Sequence, residues 1–438
     1  MKPYPKYRDS GVEWIGEIPE HWQVTQLKHQ TDFINGCAFK PDTWADDGVP
    51  IIRIENLNGG EDFNRFKGEV AERFHVKQGD LLFAWSGNIG TSFGPFLWEK
   101  DGLFYLNQHI FRLAGYRMQK TFFFWLLKAL TRYVESQAHG IIGMVHVTRG
   151  ELGGTRIPEM TPAEQSSIAG FIDAKTAEVD ELIEKKRRQI ELLKEYRASV
   201  ISEAVTKGLN PNVRMKDSGV EWIGQIPEHW SVCKVKHVAE SLQTGPFGSQ
   251  LHSEEYVEDG IPLVNPAHMS GGCIVPDRMC SVSATVFQRL SRHRLNAGDV
   301  VFARRGELGR CALVTAKEDG WLCGTGSIRL RLLLDKVNPA YLIHFLGTPG
   351  VGQSLSLESV GTTMENLNTG IIAGLWLCLP PLSEQTKVTE HIVETSRSVD
   401  LLTSTVMGQI EQLQSYRTSL ISEAVTGKID VRDWARAS

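Results

Sequence analysis

Residues 9–22 read DSGVEWIGEIPEHW and residues 217–230 read DSGVEWIGQIPEHW, two stretches that differ only at Glu17 against Gln225. A repeat of this kind constrains the fold more than any local pattern, because each copy must be one structural unit built twice. Three further echoes follow in the same order. DGVPIIRIENL (47–57) pairs with DGIPLVNPAHM (259–269), GDLLFAWSGNIG (79–90) with GDVVFARRGELG (298–309), and EYRASVISEAVT (195–206) with SYRTSLISEAVT (415–426). The offset between partners grows from 208 to 220 along the chain. The 438 residues are therefore two copies of one unit of roughly 210 residues, drifted most in their middles.

Each copy has two parts. The middles, about 23–156 and 231–378, alternate short apolar runs with turn signals such as Asn58-Gly59-Gly60 and Ser270-Gly271-Gly272. Val49–Ile54, Asp80–Phe83, Val300–Phe302 and Ile328–Leu334 read as strands, and residues 120–136 and 338–348 as one helix per copy. Each middle is thus a small mixed α/β domain. The second part has no proline between Pro162 and Pro211, nor any after Pro381. Thr161-Pro162-Ala163-Glu164 supplies an N-cap, a first-turn proline and a capping-box glutamate. Apolar residues then recur every seven at Ile172, Val179, Leu193 and Val200, with Lys186 as the polar member. The second copy repeats the seam at Ile392, Val399, Val406, Leu413 and Leu420. Leu182, Tyr196, Leu402 and Tyr416 are expected at the interleaved positions.

A stripe on helices about 66 Å long needs a partner. The other copy's helix is the first choice, and the helix's own globular domain the alternative. Connectivity makes the pair antiparallel, since the first helix leaves one domain and the second must return. The expected architecture is α+β: two similar mixed α/β domains joined by two long antiparallel coiled-coil helices. The parts are residues 1–156, 157–207, 208–378 and 379–438. Residues 427–432 (GKIDVR) echo 208–214 (GLNPNVR), so the repeat also reads as circular about a pseudo-twofold axis.

The formal charge of -5 argues weakly against a nucleic-acid partner. However, the two long helices carry that deficit, and residues 284–331 hold nine arginines and lysines against four acids. A local basic patch matters more to a phosphate than the sum over the chain. No Walker loop, H-E-x-x-H or G-x-S-x-G occurs. Asn338-Pro339-Ala340-Tyr341 resembles the NPPY tetrapeptide of adenine methyltransferases but lacks its second proline and reads as a helix start. The seven cysteines contain no CxxC pair and read as reduced core thiols of a cytoplasmic protein. No apolar run approaches the ~20 residues of a membrane span.

The third echo is the strongest candidate for a binding loop. Its glycines, Gly87/Gly90 and Gly306/Gly309, frame different contents in the two copies. The first holds Trp85, Ser86, Asn88, Thr91 and Ser92; the second holds Arg304, Arg305, Glu307 and Arg310. Arginine pairs with guanine edges and asparagine with adenine edges, so one scaffold with two polar sets suits a reader of two DNA sequences. Two solvated surface loops are the alternative. Further candidates are Phe39, Lys40, Arg53, Asn56, Asn107, Gln108 and His109. Their counterparts are Phe247, Ser249, Asn265, His268, Ser327 and Arg329.

The two-copy layout, the GVEWIGxIPEHW segments, the PEMTPAEQ helix start (158–165, with PLSEQ at 381–385 as its shorter twin) and the YRxSxISEAVT helix ends are similar to the specificity subunit of type I restriction–modification systems. The resemblance covers essentially the whole chain. It implies a non-catalytic subunit with two target recognition domains on double-stranded DNA. It also implies two modification subunits as partners, methylating adenine N6 with S-adenosylmethionine, which two restriction subunits can join. Cofactors, including ATP and magnesium, would belong to those partners.

Overall fold

The computed structural model describes residues 2–137, 144–305, 309–359 and 367–434. The chain forms two compact units, Met1–Arg187 with Met407–Ser438, and Arg188–Val406. Each contains one mixed α/β domain and one part of each long helix.

In the first unit, Gly94–Leu97, Leu81–Ala84, Ile110–Ala114 and Asp32–Asn35 form an antiparallel sheet in that order. Leu81–Ala84 is buried on both faces, as its unbroken apolar run requires, and Phe83 faces Phe111 across the ladder. The middle helix, Lys120–Gln137, covers this sheet with Phe122, Phe123, Leu126 and Leu130, all fully buried. A second four-stranded sheet contains a parallel pair, Tyr105 beside Ile51.

The second unit repeats the order with Cys311–Leu313, Val300–Ala303, Ser327–Leu332 and Ala239–Thr244. It repeats the parallel pair at Leu263 and Leu322. Its middle helix is Pro339–Leu346, started by the Asn338 side chain, which accepts from the Ala340 N–H at 2.9 Å.

The long helices run Pro162–Lys207 and Leu382–Val425. In the first unit the early turns of one pack on the late turns of the other, with Ile168 and Ile172 in a cluster with Leu420 and Ala424. In the second unit Ala204 and Val205 share a cluster with Val388 and Ile392. Each unit therefore shows antiparallel pairing. Ile172, Val179, Ile392, Val399, Val406 and Leu420 are buried, while Lys186, Leu193, Val200 and Leu413 are half-buried.

The interleaved expectation fails. Leu182, Tyr196, Leu402 and Tyr416 are 45–55% exposed. The second seam position lies four residues on, not three, at Thr176, Ile183, Ile190, Arg197 and Ala204 and at their twins Ser396, Thr403, Ile410, Arg417 and Ala424. Arg417 pairs with Asp180 at 3.0 Å, and its twin Arg197 pairs with Asp400, the twin of Asp180. These pairs are half-exposed and contribute at most about 1 kcal/mol each. A fully buried Ile or Val contributes about 1.5–3 kcal/mol, so the apolar seam holds the helices.

The helix starts explain why the motifs travel together. Thr161 caps the helix, its Oγ1 accepting from the Glu164 N–H at 3.3 Å, and the Glu164 carboxylate accepts from Trp22 Nε1 at 3.2 Å and lies 2.8 Å from His21 Nε2. Glu384 lies 2.8 Å from His229 Nε2 in the same way. The neighbouring Gln165 accepts from the Gln119 N–H at 2.7 Å, tying the helix start to the middle helix, and Gln385 does so with Asn338. At the other helix ends, Gly208 and Gly427 adopt φ of 74° and 75° and stand against Trp230 and Trp22. Beyond Gly427, the Asp430 N–H donates to Lys2 O at 2.9 Å, so the tail meets the N-terminal segment as the circular reading expects.

Candidate nucleic-acid interface

Gly36 lies so close to the neighbouring segment that a Cβ there would sit 1.9 Å from Asn107 O. Gly245 repeats this at 2.0 Å from Gly324 O. Trp85 N–H donates to His109 O, and Arg304 N–H donates to Gly326 O. Trp85 O then accepts from Val147 N–H at 2.9 Å, and Arg304 O from Leu367 N–H at 3.0 Å. The backbone frame is thus the same in both units, and its side chains differ.

This frame gathers the candidates. In the first unit it brings together residues 36–40, 85–92 and 107–109, with Arg53 next to Asn107 through the Asn107 N–H to Ile52 O bond. Lys40, Asn88, Thr91 and Gln108 are exposed, while Arg53, Ser86, Asn107 and His109 are half-buried. Arg53 is engaged with Asn64 at 2.6 Å and Glu55 at 3.0 Å. The Trp85 ring packs on His146 at 4.7 Å and His109 at 5.4 Å, and its Nε1 donates to Gln108 O. The turn is pinned on Asn88, whose carbonyl accepts from the Ser92 and Phe93 N–H groups. In the second unit Phe247, Ser249 and Arg305 are exposed and Arg304 is half-buried. Glu307 and Gly306 lie outside the described residues.

Five candidates have internal duties instead. Phe39 is stacked on Tyr105 within a buried cluster. Asn56 is 3% exposed and donates to Gly60 O and Asp62 O. Ser327 is fully buried and donates to Val264 O at 2.8 Å. His268 is buried with Nδ1 between Asn265 N–H and Leu263 O. Arg329 donates to Arg292 O and Arg294 O at 3.0 and 2.8 Å and to Gln243. Its twin Arg112 donates to Arg73 O at 3.1 Å, so this strand arginine braces a backbone turn in both copies. Beside Arg329, burial pushes the His293 imidazole down to about 4, and it is neutral at pH 7. Asn265 and Arg310 are half-buried, the first donating to Cys280 Sγ and the second to Pro266 O.

His146 went unseen in the sequence because it lies about sixty residues from Trp85 and joins it only through the pairing of Met144–His146 with Ser86–Asn88. The assignments make a contrast. Arg329→Ala should lower second-unit stability by about 1–3 kcal/mol by leaving carbonyls unpaired. Arg304→Ala should leave the melting temperature within a degree or two. Equal melting of the two variants would remove the distinction.

A family model described as the type I restriction modification DNA specificity domain matches residues 19–192 and 227–412. The chain is 23% identical over 424 residues to the type I restriction enzyme MjaVIII specificity subunit of Methanocaldococcus jannaschii, covering 95% of each chain. It is 21% identical to the EcoBI specificity subunit of Escherichia coli, covering 96% of this chain and 89% of that one. The fold is similar to that of the HsdS subunit from Thermoanaerobacter tengcongensis, with a TM-score of 0.53 and 16% identity over 94% of this chain and 98% of that one. A chain from a structure of a type I R-M system complex gives 0.66 at 16% identity, covering 94% and 99%. The twice-built frame and the family match over most of both copies agree: the chain belongs to the type I restriction–modification specificity subunits and carries two DNA specificity domains.

Proposed function

We propose that each unit reads one half of a bipartite, asymmetric DNA target, and that this chain supplies recognition while its partners supply the chemistry. The observation that carries the reading is one backbone frame presenting Trp85, Asn88 and Gln108 in one unit and Arg304, Arg305 and Phe247 in the other. Two different polar sets on one frame select two different half-sites. The long helices set the spacing between those half-sites. In the assembled complex, modification subunits holding S-adenosylmethionine methylate adenine N6, and restriction subunits use ATP and magnesium.

Two modification subunits fit the repeat. In the first unit the Asp180–Arg417 pair is flanked by exposed Leu182 and Tyr416. In the second, Arg197–Asp400 is flanked by exposed Tyr196 and Leu402, their twins. Exposed apolar side chains repeated in this way offer two equal docking patches.

Methylome sequencing of cells carrying this chain with its modification subunit should return two unlike half-sites separated by an unspecified spacer. Replacing both Arg304 and Arg305 by alanine should relax only one of them, at about 1–3 kcal/mol for each lost base contact. A continuous or palindromic motif would rule the reading out.

A further inference from the structure

Arg53 and Asn265 are twins that follow the same strand of the repeat, and their backbones are pinned alike. The Arg53 N–H donates to Asn56 Oδ1 at 2.9 Å, and the Asn265 N–H to His268 Nδ1 at 3.2 Å. The preceding residue is tied to the readout turn in both units, by Asn107 N–H to Ile52 O and by Gly324 N–H to Val264 O. A side chain changed at this position changes what the turn presents without moving the frame.

The two side chains are used differently. Asn265 is turned inward: Nδ2 donates to Cys280 Sγ at 3.0 Å, and Oδ1 is buried where a Cβ on Gly324 would come within 2.2 Å. Arg53 is 34% exposed and held. Its guanidinium lies 4.9 Å over the ring of Trp44, which packs in the cluster of Phe39 and Tyr105. Nη1 donates to Asn64 Oδ1 at 2.6 Å, and Asn64 is itself fixed by the Ile51 N–H to Asn64 O bond. Stacking sets the plane of the guanidinium, and Nη1 sets its rotation. The remaining edge, Nε and Nη2, meets no acceptor among the described residues and is open to solvent.

Two parallel donors on a rigid edge match the O6 and N7 acceptors of guanine in the major groove. A phosphate matches them as well, so charge decides between the two. The Glu55 carboxylate stands 3.0 Å from Nη1 and is more than half exposed. The pair is therefore close to neutral, and the exposed carboxylate repels a phosphate but not an uncharged base edge. We propose that Arg53 reads one guanine of its half-site through O6 and N7, with Trp44, Asn64 and Glu55 as positioning residues. Asn265 makes no counterpart contact. This rests on the reading that each unit recognises one half-site.

The test uses the full chain assembled with its modification subunits, on the target that methylome sequencing returns. Arg53→Ala, and Arg53→Met, which keeps an apolar stem on Trp44, should accept any base at one G·C pair of one half-site. The other half-site should stay unchanged, and circular dichroism melting should show both variants folded. Replacing that guanine by 7-deazaguanine, which lacks N7, should weaken wild-type binding about 5- to 150-fold and leave binding by the variants as it was. Inosine, which keeps O6 and N7 and lacks the minor-groove amine, should serve the wild type as guanine does. Full guanine preference in the folded variants overturns the assignment. An equal loss on every sequence, with a shallower salt dependence, also overturns it and places Arg53 on phosphate. Wild-type binding indifferent to 7-deazaguanine at every guanine of the target overturns it without any variant. A methylation motif without two unlike half-sites refutes the half-site reading itself.

Discussion

Alanine at Trp22 should lower the stability of the first unit by about 3–5 kcal/mol, the usual range for removing a buried tryptophan. The indole is fully buried and its Nε1 donates to Glu164. Its ring also stands where a Cβ on Gly427 would come within 2.9 Å. One side chain thus joins the repeat signature, the start of one long helix and the end of the other. Trp230 holds the same place beside Gly208 and is 1% exposed, so Trp230→Ala should weaken the second unit by a similar amount. Urea denaturation of each variant checks this, and a loss below about 1 kcal/mol would show that the tryptophans fill space without joining the helices.

Methylation of the cognate target should fall about a hundredfold or more in Gly36→Ala, since displaced contacts cost about 1–3 kcal/mol for each base pair misread. The added methyl would meet Asn107 O at 1.9 Å, so strand and loop must separate. Overpacking of this kind costs about 1–3 kcal/mol in stability, leaving the fold in place. Gly245→Ala should act in the same way on the other half-site, against Gly324 O. Both variants should melt as folded proteins, and wild-type methylation by either would mean the frame tolerates the separation.

The two-copy plan, the long helices and the strands at Leu81–Ala84 and Val300–Ala303 were legible because repeats and unbroken apolar runs report burial directly. The seam was half legible. Val179 is followed by apolar residues at both three and four positions on, Leu182 and Ile183, and only the partner helix decides which is covered. Polar residue types misled in the interface for a related reason. Asn56, Ser327 and Arg329 carry the groups that read bases, but their sequence does not say whether nearby carbonyls already engage them. The grip of Glu164 on Trp22 and His21 links two motifs that the sequence shows only as recurring together.

The tail that meets Lys2 has a consequence for synthesis. The second unit, Arg188–Val406, is one continuous stretch and is complete once Val406 has left the ribosome. The first unit needs Met407–Ser438 as well as Met1–Arg187, so the part translated first is finished last. Until then Tyr4, Ile18 and Trp22 lack the cover of Ile421, Val425 and Val431. Exposed apolar surface of this kind is what chaperones bind and aggregates grow from. A ribosome that stalls within the last helix therefore leaves a finished second reader attached to an unfinished first one.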